Sequence, residues 1–467
     1  MRPDYSQWER AKRGYGAILR LALPLIVTSG MVTIQQFVDR LFLTWYSPEA
    51  IAAVTPSGIL YFTLTCLFSG TVAYANTFVA QYHGSGQFKR IGGVIWQSVY
   101  LSVAGGVLLM LLYVPAPYLF RLMGHPAAVC GLEIAYFRLL ALGSVPMLLA
   151  QGLSAYFSGR GKMWTILVLH VAATGCNIAL NYLLIFGCCG LPAMGIRGAG
   201  LATVASMCIL ALLFLCAIRL AKTGRQGHGF AAWHPQAALI KRMLRFGLPA
   251  GVQSFLEMIT FTAFLVFVGR LGTRALAATN IAFNINTLAF LPMIGLGITI
   301  SVLVGQHMGR EESHAAARIT YRGFHLALAY MVVMALGYIL LPALFLAPFK
   351  AGSPADFADI YAMCVVLLRF VAFYSLFDAM NIVFAFALKG AGDTRFVMLM
   401  MVALSLCVFV LPAWGLLLVT TPSLYHLWVL ATLFISLLGI AYYLRFRHGS
   451  WRHIRLIDER TPQREIG

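Results

Sequence analysis

The chain repeats itself. Leu19-Arg20-Leu21-Ala22-Leu23-Pro24 returns as Leu244-Arg245-Phe246-Gly247-Leu248-Pro249, a displacement of 225 residues. At the same displacement Ala52-Ala53 falls on Ala277-Ala278, Gly70 on Gly295, and Gln81 with Gly84 on Gln306 with Gly309. Farther along, Arg138 matches Arg369 and Gly159 matches Gly390 at a displacement of 231, so the second half carries six extra residues in one connection. A duplication on this scale restricts the chain to architectures built from two like halves. In membranes, paired halves create a site near the bilayer midplane that rocking exposes to either side, which is a signature of transport.

The residues inside each copy fit a membrane. Of 467 residues 60% are hydrophobic and 10% charged, too little charge to cover the surface of a water-soluble protein of this size. Apolar stretches close to or above the length needed to cross a bilayer recur at about 17–46, 51–81, 92–114, 133–157, 163–187, 195–219, 246–270, 275–306, 321–346, 358–388, 396–419 and 425–445. The expected fold class is an all-α membrane protein, with about twelve transmembrane helices in two six-helix lobes related by a parallel pseudo-two-fold repeat. The first stretch follows a basic, polar start and lacks a short apolar core with a cleavage site, so it reads as a retained crossing.

A formal net charge of +19 raises the question of nucleic acid, and the positions of the basic residues answer it. Alternate connections hold Lys89/Arg90, Arg160/Lys162, the Arg219–Arg245 group, Arg310/Arg318/Arg322 and Lys389/Arg395, and both termini belong to the same set. Only Arg40, Arg121, Arg138, Arg197, Arg270, Arg274, Lys350 and Arg369 fall elsewhere, 8 of the 34 Lys and Arg. The positive-inside rule turns this asymmetry into a topology with both termini cytoplasmic. The expected organisation is an amino-terminal six-helix lobe over residues 1–220, a cytoplasmic linker over 221–242, a carboxy-terminal six-helix lobe over 243–446, and a basic cytoplasmic tail over 447–467. Arg138 and Arg369, near the outer ends of equivalent helices, read as side chains snorkelling to headgroups.

Cys66, Cys176, Cys208, Cys216, Cys364 and Cys407 fall in apolar segments and read as small buried hydrophobes. Cys130 and Cys188-Cys189 lie in outer connections, where a disulfide from Cys130 to either neighbour stays open, and no metal-ligand spacing is present.

Charges inside the membrane carry the chemistry, because each costs about 2.5–3.5 kcal/mol at a helix centre on insertion scales. Glu257 lies near the middle of the seventh stretch, Asp378 inside the tenth, and Asp39 toward the outer half of the first. The repeat explains none of them: Glu257 faces Val32, Asp378 faces Met147, and Asp39 faces Phe264. Asp39 also adjoins Arg40, so an interfacial ion pair is the alternative there. In the fifth stretch Asn177 and Asn181 stand four residues apart, which puts both amides on one helical face. Such amides glue helices by hydrogen bonds, or else join Asp39 and the hydroxyl of Thr203 in an oxygen cage of one net negative charge suited to a hard cation.

These residues resemble the multidrug and toxic compound extrusion (MATE) transporters over roughly residues 15–445. The resemblance rests on Leu23-Pro24 leading to Asp39, on Gln81-Tyr82-His83-Gly84, on the run Asn177–Gly187, on Gly195–Thr203, and on Gly305-Gln306. It implies a two-lobe antiporter of the bacterial inner membrane that exports cationic or amphiphilic drugs in exchange for inward H⁺ or Na⁺. The family's amino-lobe cation or proton site corresponds to Asp39, Asn177, Asn181 and Thr203, and its carboxy-lobe acids correspond to Glu257 and Asp378; either set is a candidate Na⁺ site. Some relatives carry an acid where Asn181 stands, so the amino-lobe site here is less negative.

No enzyme activity, cofactor or nucleic-acid partner is expected; the expected partners are small cationic or amphiphilic molecules and membrane lipids, and the expected state is a monomer. A lipid-linked saccharide flippase of the same superfamily is the alternative. It would line its cavity with basic residues to hold phosphate, whereas the mid-membrane acids here favour cations. His170 and His325 lie in apolar segments without the Ser, Asp or metal-ligand spacing that an intramembrane enzyme would need. Pro24, Pro146, Pro249 and Pro292 are candidate bending points.

Overall fold

A computed structural model describes residues 14–188, 190–221, 233–350, 357–419 and 422–457. The expectations for the basic residues before 14, for most of the linker, for Cys189, and for the tail beyond 457 lie outside the described residues. Lipid offers the backbone no hydrogen-bond partner, so a spanning chain must satisfy its own N–H and C=O groups, and every described element is helical. In order they are α1 (Tyr15–Tyr46), α2 (Pro48–Ala73), α3 (Ala75–Gly84), α4 (Phe88–Met110), α5 (Ala116–Leu122), α6 (Ala127–Leu142), α7 (Ser144–Ser158), α8 (Met163–Phe186), α9 (Ile196–Ala221) and α10 (Ala237–Gly269). There follow α11 (Thr273–Gly309), α12 (Ser313–Leu340), α13 (Pro342–Lys350), α14 (Phe357–Ala391), α15 (Thr394–Leu404), α16 (Leu411–Val419) and α17 (Leu424–His448), with one π-turn segment, Ser405–Val410, joining α15 to α16.

Among the described residues eleven helices or continuous helix pairs are long and apolar enough to cross a membrane, and α6 with α7, bent by 43°, adds a twelfth when the pair is taken as one span. The twelve apolar stretches thus each meet a helix or a helix pair. Local chemistry sets the breaks. Ser47 caps α2, its hydroxyl accepting from the Ala50 N–H at 3.1 Å with Pro48 at the first helical position. Gly187 ends α8 at φ 74°, a left-handed conformation that glycine adopts without a Cβ penalty. The α6–α7 bend falls at Gly143, three residues before Pro146 in the first turn of α7. Pro24, Pro249 and Pro292 lie inside α1, α10 and α11.

The seventh span begins at Ala237, so residues 237–242, expected in the linker, are helical. Buried Gln97 of α4 fixes the approach, donating to the His234 carbonyl at 3.2 Å and accepting from the Gln236 N–H at 3.1 Å, while the Tyr100 hydroxyl donates to the Trp233 carbonyl.

By internal packing the chain forms two compact units. Among the described residues, one comprises those within 14–26, 256–304 and 312–454, the other those within 27–255, 305–311 and 455–457. The repeat is visible within each. In the second unit a Cβ on Gly70 would meet the Gly251 backbone at 2.8 Å; in the first, a Cβ on Gly295 would meet the Ile26 backbone at 2.8 Å. Gly251 and Ile26 are themselves 225 residues apart, so the same close helix crossing is made twice from equivalent positions.

The cysteine expectation needs correction. Cys66 and Cys364 are buried, but Cys176, Cys208, Cys216 and Cys407 are exposed. A lipid-facing surface is as apolar as a core, so an apolar stretch does not say which way a thiol points. Cys130 and Cys188 are free thiols, and Cys130 packs with Ala116, Phe120 and Phe137. Arg138 does more than snorkel: its Nε donates to the Tyr113 carbonyl at 3.2 Å and its guanidinium lies 4.5 Å from the Tyr113 ring.

Candidate functional site

The amino-half site is assembled from α1, α8 and α9. Asn177 and Asn181, one turn apart on α8, are wholly buried. The Asn181 amide nitrogen donates to the Asp39 carboxylate and, at 3.0 Å, to Asn177 Oδ1. Asn177 in turn donates to Ser206 Oγ at 3.2 Å, and Ser206 donates to the Thr203 carbonyl at 2.8 Å. Both hydrogens of the Asn181 amide are therefore used on acceptors. Reversing that amide would set its oxygen against the Asp39 carboxylate, so the network itself assigns the orientation.

One atom is left over. Asn181 Oδ1 is buried and has no hydrogen-bond donor among the described residues. An acceptor in that position costs free energy until a donor or a cation reaches it. It belongs to the amide that touches Asp39, so the site combines one carboxylate with a vacant neutral oxygen. Thr203 is less direct than expected: its hydroxyl donates to the Ala199 carbonyl at 2.9 Å, and it joins the group through Ser206 and through Tyr136, whose hydroxyl interacts with Thr203 in the field of Asp39 and Arg40. Arg40 itself is exposed.

Sequence reasoning missed Ser206 and Tyr136. Ser206 stands three residues after Thr203, a spacing that puts it on the same face of α9. Tyr136 had no such signal. A buried acid was missed as well: Glu133 of α6 is fully buried, its Oε1 lies 2.7 Å from His125 Nδ1, and its Oε2 has no partner among the described residues.

The carboxy-half acids lie on α10 and α14 within one unit. Asp378 is buried, accepts from Asn381 Nδ2 at 3.1 Å and lies in the field of Glu257, which is accessible. Tyr374, one turn before Asp378, lies in its field. Lys389, counted with the cytoplasmic loops, occupies the last turn of α14, where its ammonium sits 4.2 Å from the Phe386 ring centroid and attracts Glu257. A four-carbon stem lets a residue at a helix end place its charge well away from its own Cα. Among the described residues no three His, Cys, Asp or Glu side chains gather as a metal cluster. A cavity of about 620 Å³, lined by Arg270, Leu271, Met363, Leu424 and Tyr425 among others, lies apart from both acidic sites in composition.

The MatE family matches residues 24–183 and 249–414, once in each copy of the repeat. The multidrug resistance protein PmpM of Pseudomonas aeruginosa is 30% identical over 386 residues, covering 82% of this chain and 80% of that protein. The probable multidrug resistance protein NorM of Shewanella oneidensis is 26% identical over 81% of this chain and 82% of its own length. Among solved structures, a multidrug resistance MATE family transporter of the MOP superfamily, captured outward-facing, shares the fold with a TM-score of 0.84 at 20% identity, over 95% of this chain and 98% of that one.

Proposed function

Because the chain belongs to the MatE family of multi-pass membrane transporters, we propose that it is a secondary antiporter exporting cationic or amphiphilic compounds in exchange for inward H⁺ or Na⁺. The two six-helix lobes give the substrate alternating access to the two sides of a bacterial inner membrane, with both termini in the cytoplasm. The observation that carries this reading is the buried Asn181 Oδ1, without a hydrogen-bond donor among the described residues, beside the Asp39 carboxylate. A single negative charge with neutral oxygens on one side is suited to a proton or a small monovalent cation, and a carboxylate in a dry lobe exchanges one positive partner for another.

Competition then provides coupling. An ion entering down the membrane potential releases about 2.3 kcal/mol per 100 mV for each charge, and a cationic substrate and the ion each exclude the other from the acidic sites. Glu257 and Asp378 form the second such site, and the electrostatic interaction between them supports their acting as a unit. The negative sign of these sites supports cationic substrates, and the relatives' names, multidrug resistance proteins, support the export of drugs.

The test is dye efflux from proteoliposomes in which H⁺ and Na⁺ gradients are imposed separately. Efflux driven by one of the two gradients is expected. Efflux that ignores both would overturn the antiport reading, and movement of a lipid-linked saccharide instead of dye would support the flippase.

A further inference from the structure

The end of the eighth span packs with the wrong half. Residues 305–311, the last turns of α11 and the residues just after it, belong to the compact unit of residues 27–255 and not to the unit that holds the rest of α11. What holds them there is a motif carried twice. Gln81-x-x-Gly84 ends α3, and Gln306-x-x-Gly309, 225 residues later, ends α11. A Cβ built on Gly84 would fall on the backbone carbonyl of Gln306, and one built on Gly309 would fall on that of Gln81. The contact is reciprocal: each copy supplies the glycine that the other copy's glutamine backbone needs, as at the interface of a symmetric dimer.

Gln306 ties a further helix end to the crossing. Gln81 and Gln306 are buried, and Gln306 Nε2 donates to the Gly159 carbonyl at 2.9 Å. Gly159 is itself a close-approach position, where a Cβ would meet the Asn76 carbonyl at 2.7 Å. The crossing lies at the helix ends that lead to Lys89/Arg90 and to Arg310, the basic side of the chain. It is therefore a backbone-to-backbone seal at the cytoplasmic ends of two equivalent spans, with no side chain between them.

We propose that the reciprocal crossing of Gln81-x-x-Gly84 with Gln306-x-x-Gly309 is the cytoplasmic gate of this transporter, closed in this structure and parted whenever the pathway opens inward. The proposal rests on the alternating-access reading above. Two bare glycine surfaces make a seal that leaves no side chain to unpack, so the gate opens by sliding α11 off α3 at the loss of the Gln306–Gly159 bond.

The experiment uses the full chain without its native cysteines, carrying Val302→Cys. Val302 is buried, two turns deeper in α11 than Gly309 and on the same helical face. Inverted membrane vesicles expose the cytoplasmic side to a membrane-impermeant maleimide. Gly84→Ala and Gly309→Ala wedge the crossing, and Gln306→Ala removes its hydrogen bond without adding bulk. Each should raise the labelling rate about fivefold or more, whereas Gly58→Ala, whose Cβ would meet nothing within 4 Å, should leave it unchanged. Where the alanine wedges fail to reach the membrane, Gln306→Ala decides. Labelling that stays at the starting rate in every variant present at normal amounts overturns the gate. The readout needs neither substrate nor ion gradient, so a failed antiport assay with faster labelling in the wedged variants would sink the coupling reading and leave the gate standing.

Discussion

Asn181 on α8 donates an amide hydrogen to the carboxylate of Asp39 on α1, joining residues 142 positions apart in the chain. That bond orients the amide, and the orientation leaves Asn181 Oδ1 buried without a donor among the described residues. The Asp39–Asn181 contact thus explains how a helix that crosses the membrane beside another comes to hold an unfilled oxygen.

Asp39→Asn should reduce ion-driven efflux by about tenfold or more with the protein still in the membrane, because a hydrogen bond to a charged group is worth about 1.5–3 kcal/mol and the only charge in the amino-half group is lost. Asn181→Ala removes the vacant oxygen and should weaken apparent ion affinity more than Asn177→Ala, whose two polar atoms are already engaged with Ser206 and Asn181. Efflux rates measured against the concentration of the driving ion check this order. Full activity in Asp39→Asn would reduce Asp39 to a partner of Arg40.

The short distance from Glu133 to His125 predicts a stability effect instead of a transport effect. His125→Ala leaves the buried carboxylate without its donor, at a cost of about 1–3 kcal/mol, and should lower the melting temperature of the protein in detergent. Glu133→Gln still offers an oxygen to the imidazole and should be milder. Equal melting temperatures for His125→Ala and the wild type would show that the 2.7 Å contact stabilises nothing.

The basic asymmetry predicts that a cysteine at position 228, introduced as His228→Cys in a cysteine-free background, stays unlabelled by an impermeant reagent outside intact cells. Labelling only after the membrane is opened is the expected result. Rapid labelling from outside would invert the topology and move the proposed gate to the other face.

Much of this architecture is legible without coordinates because a bilayer demands long apolar helices and the repeat checks each one. The Asn177–Asn181 spacing also survives translation into structure, since residues one turn apart must share a face. The side chains that complete the sites do not. Tyr136 reaches Asp39 and Thr203 from a helix with no spacing relation to either. Glu133 stands at the edge of an expected span, where an acid is ordinary, and only packing reveals that it is buried. Lys389 sits among residues that set topology, and the reach of its own side chain brings it to Glu257. Contacts between helices far apart in the chain depend on tertiary packing, which periodicity does not encode.

Glu257 and Asp378 should behave as one unit. They stand on different helices, α10 and α14, yet Asp378 lies in the field of Glu257, and Lys389 offsets part of the charge of Glu257. Two carboxylates so coupled share a proton or a cation, and the loss of either changes what the other can hold. Glu257→Gln and Asp378→Asn should each lower ion-driven efflux by about tenfold. The double variant should be little worse than the worse single one, since neighbours in one network do not add. Efflux rates of the four proteins at matched amounts in proteoliposomes give the cycle. Losses that multiply would assign the two acids to separate steps, with Lys389 serving Glu257 alone, and wild-type efflux in the double variant would leave coupling to Asp39.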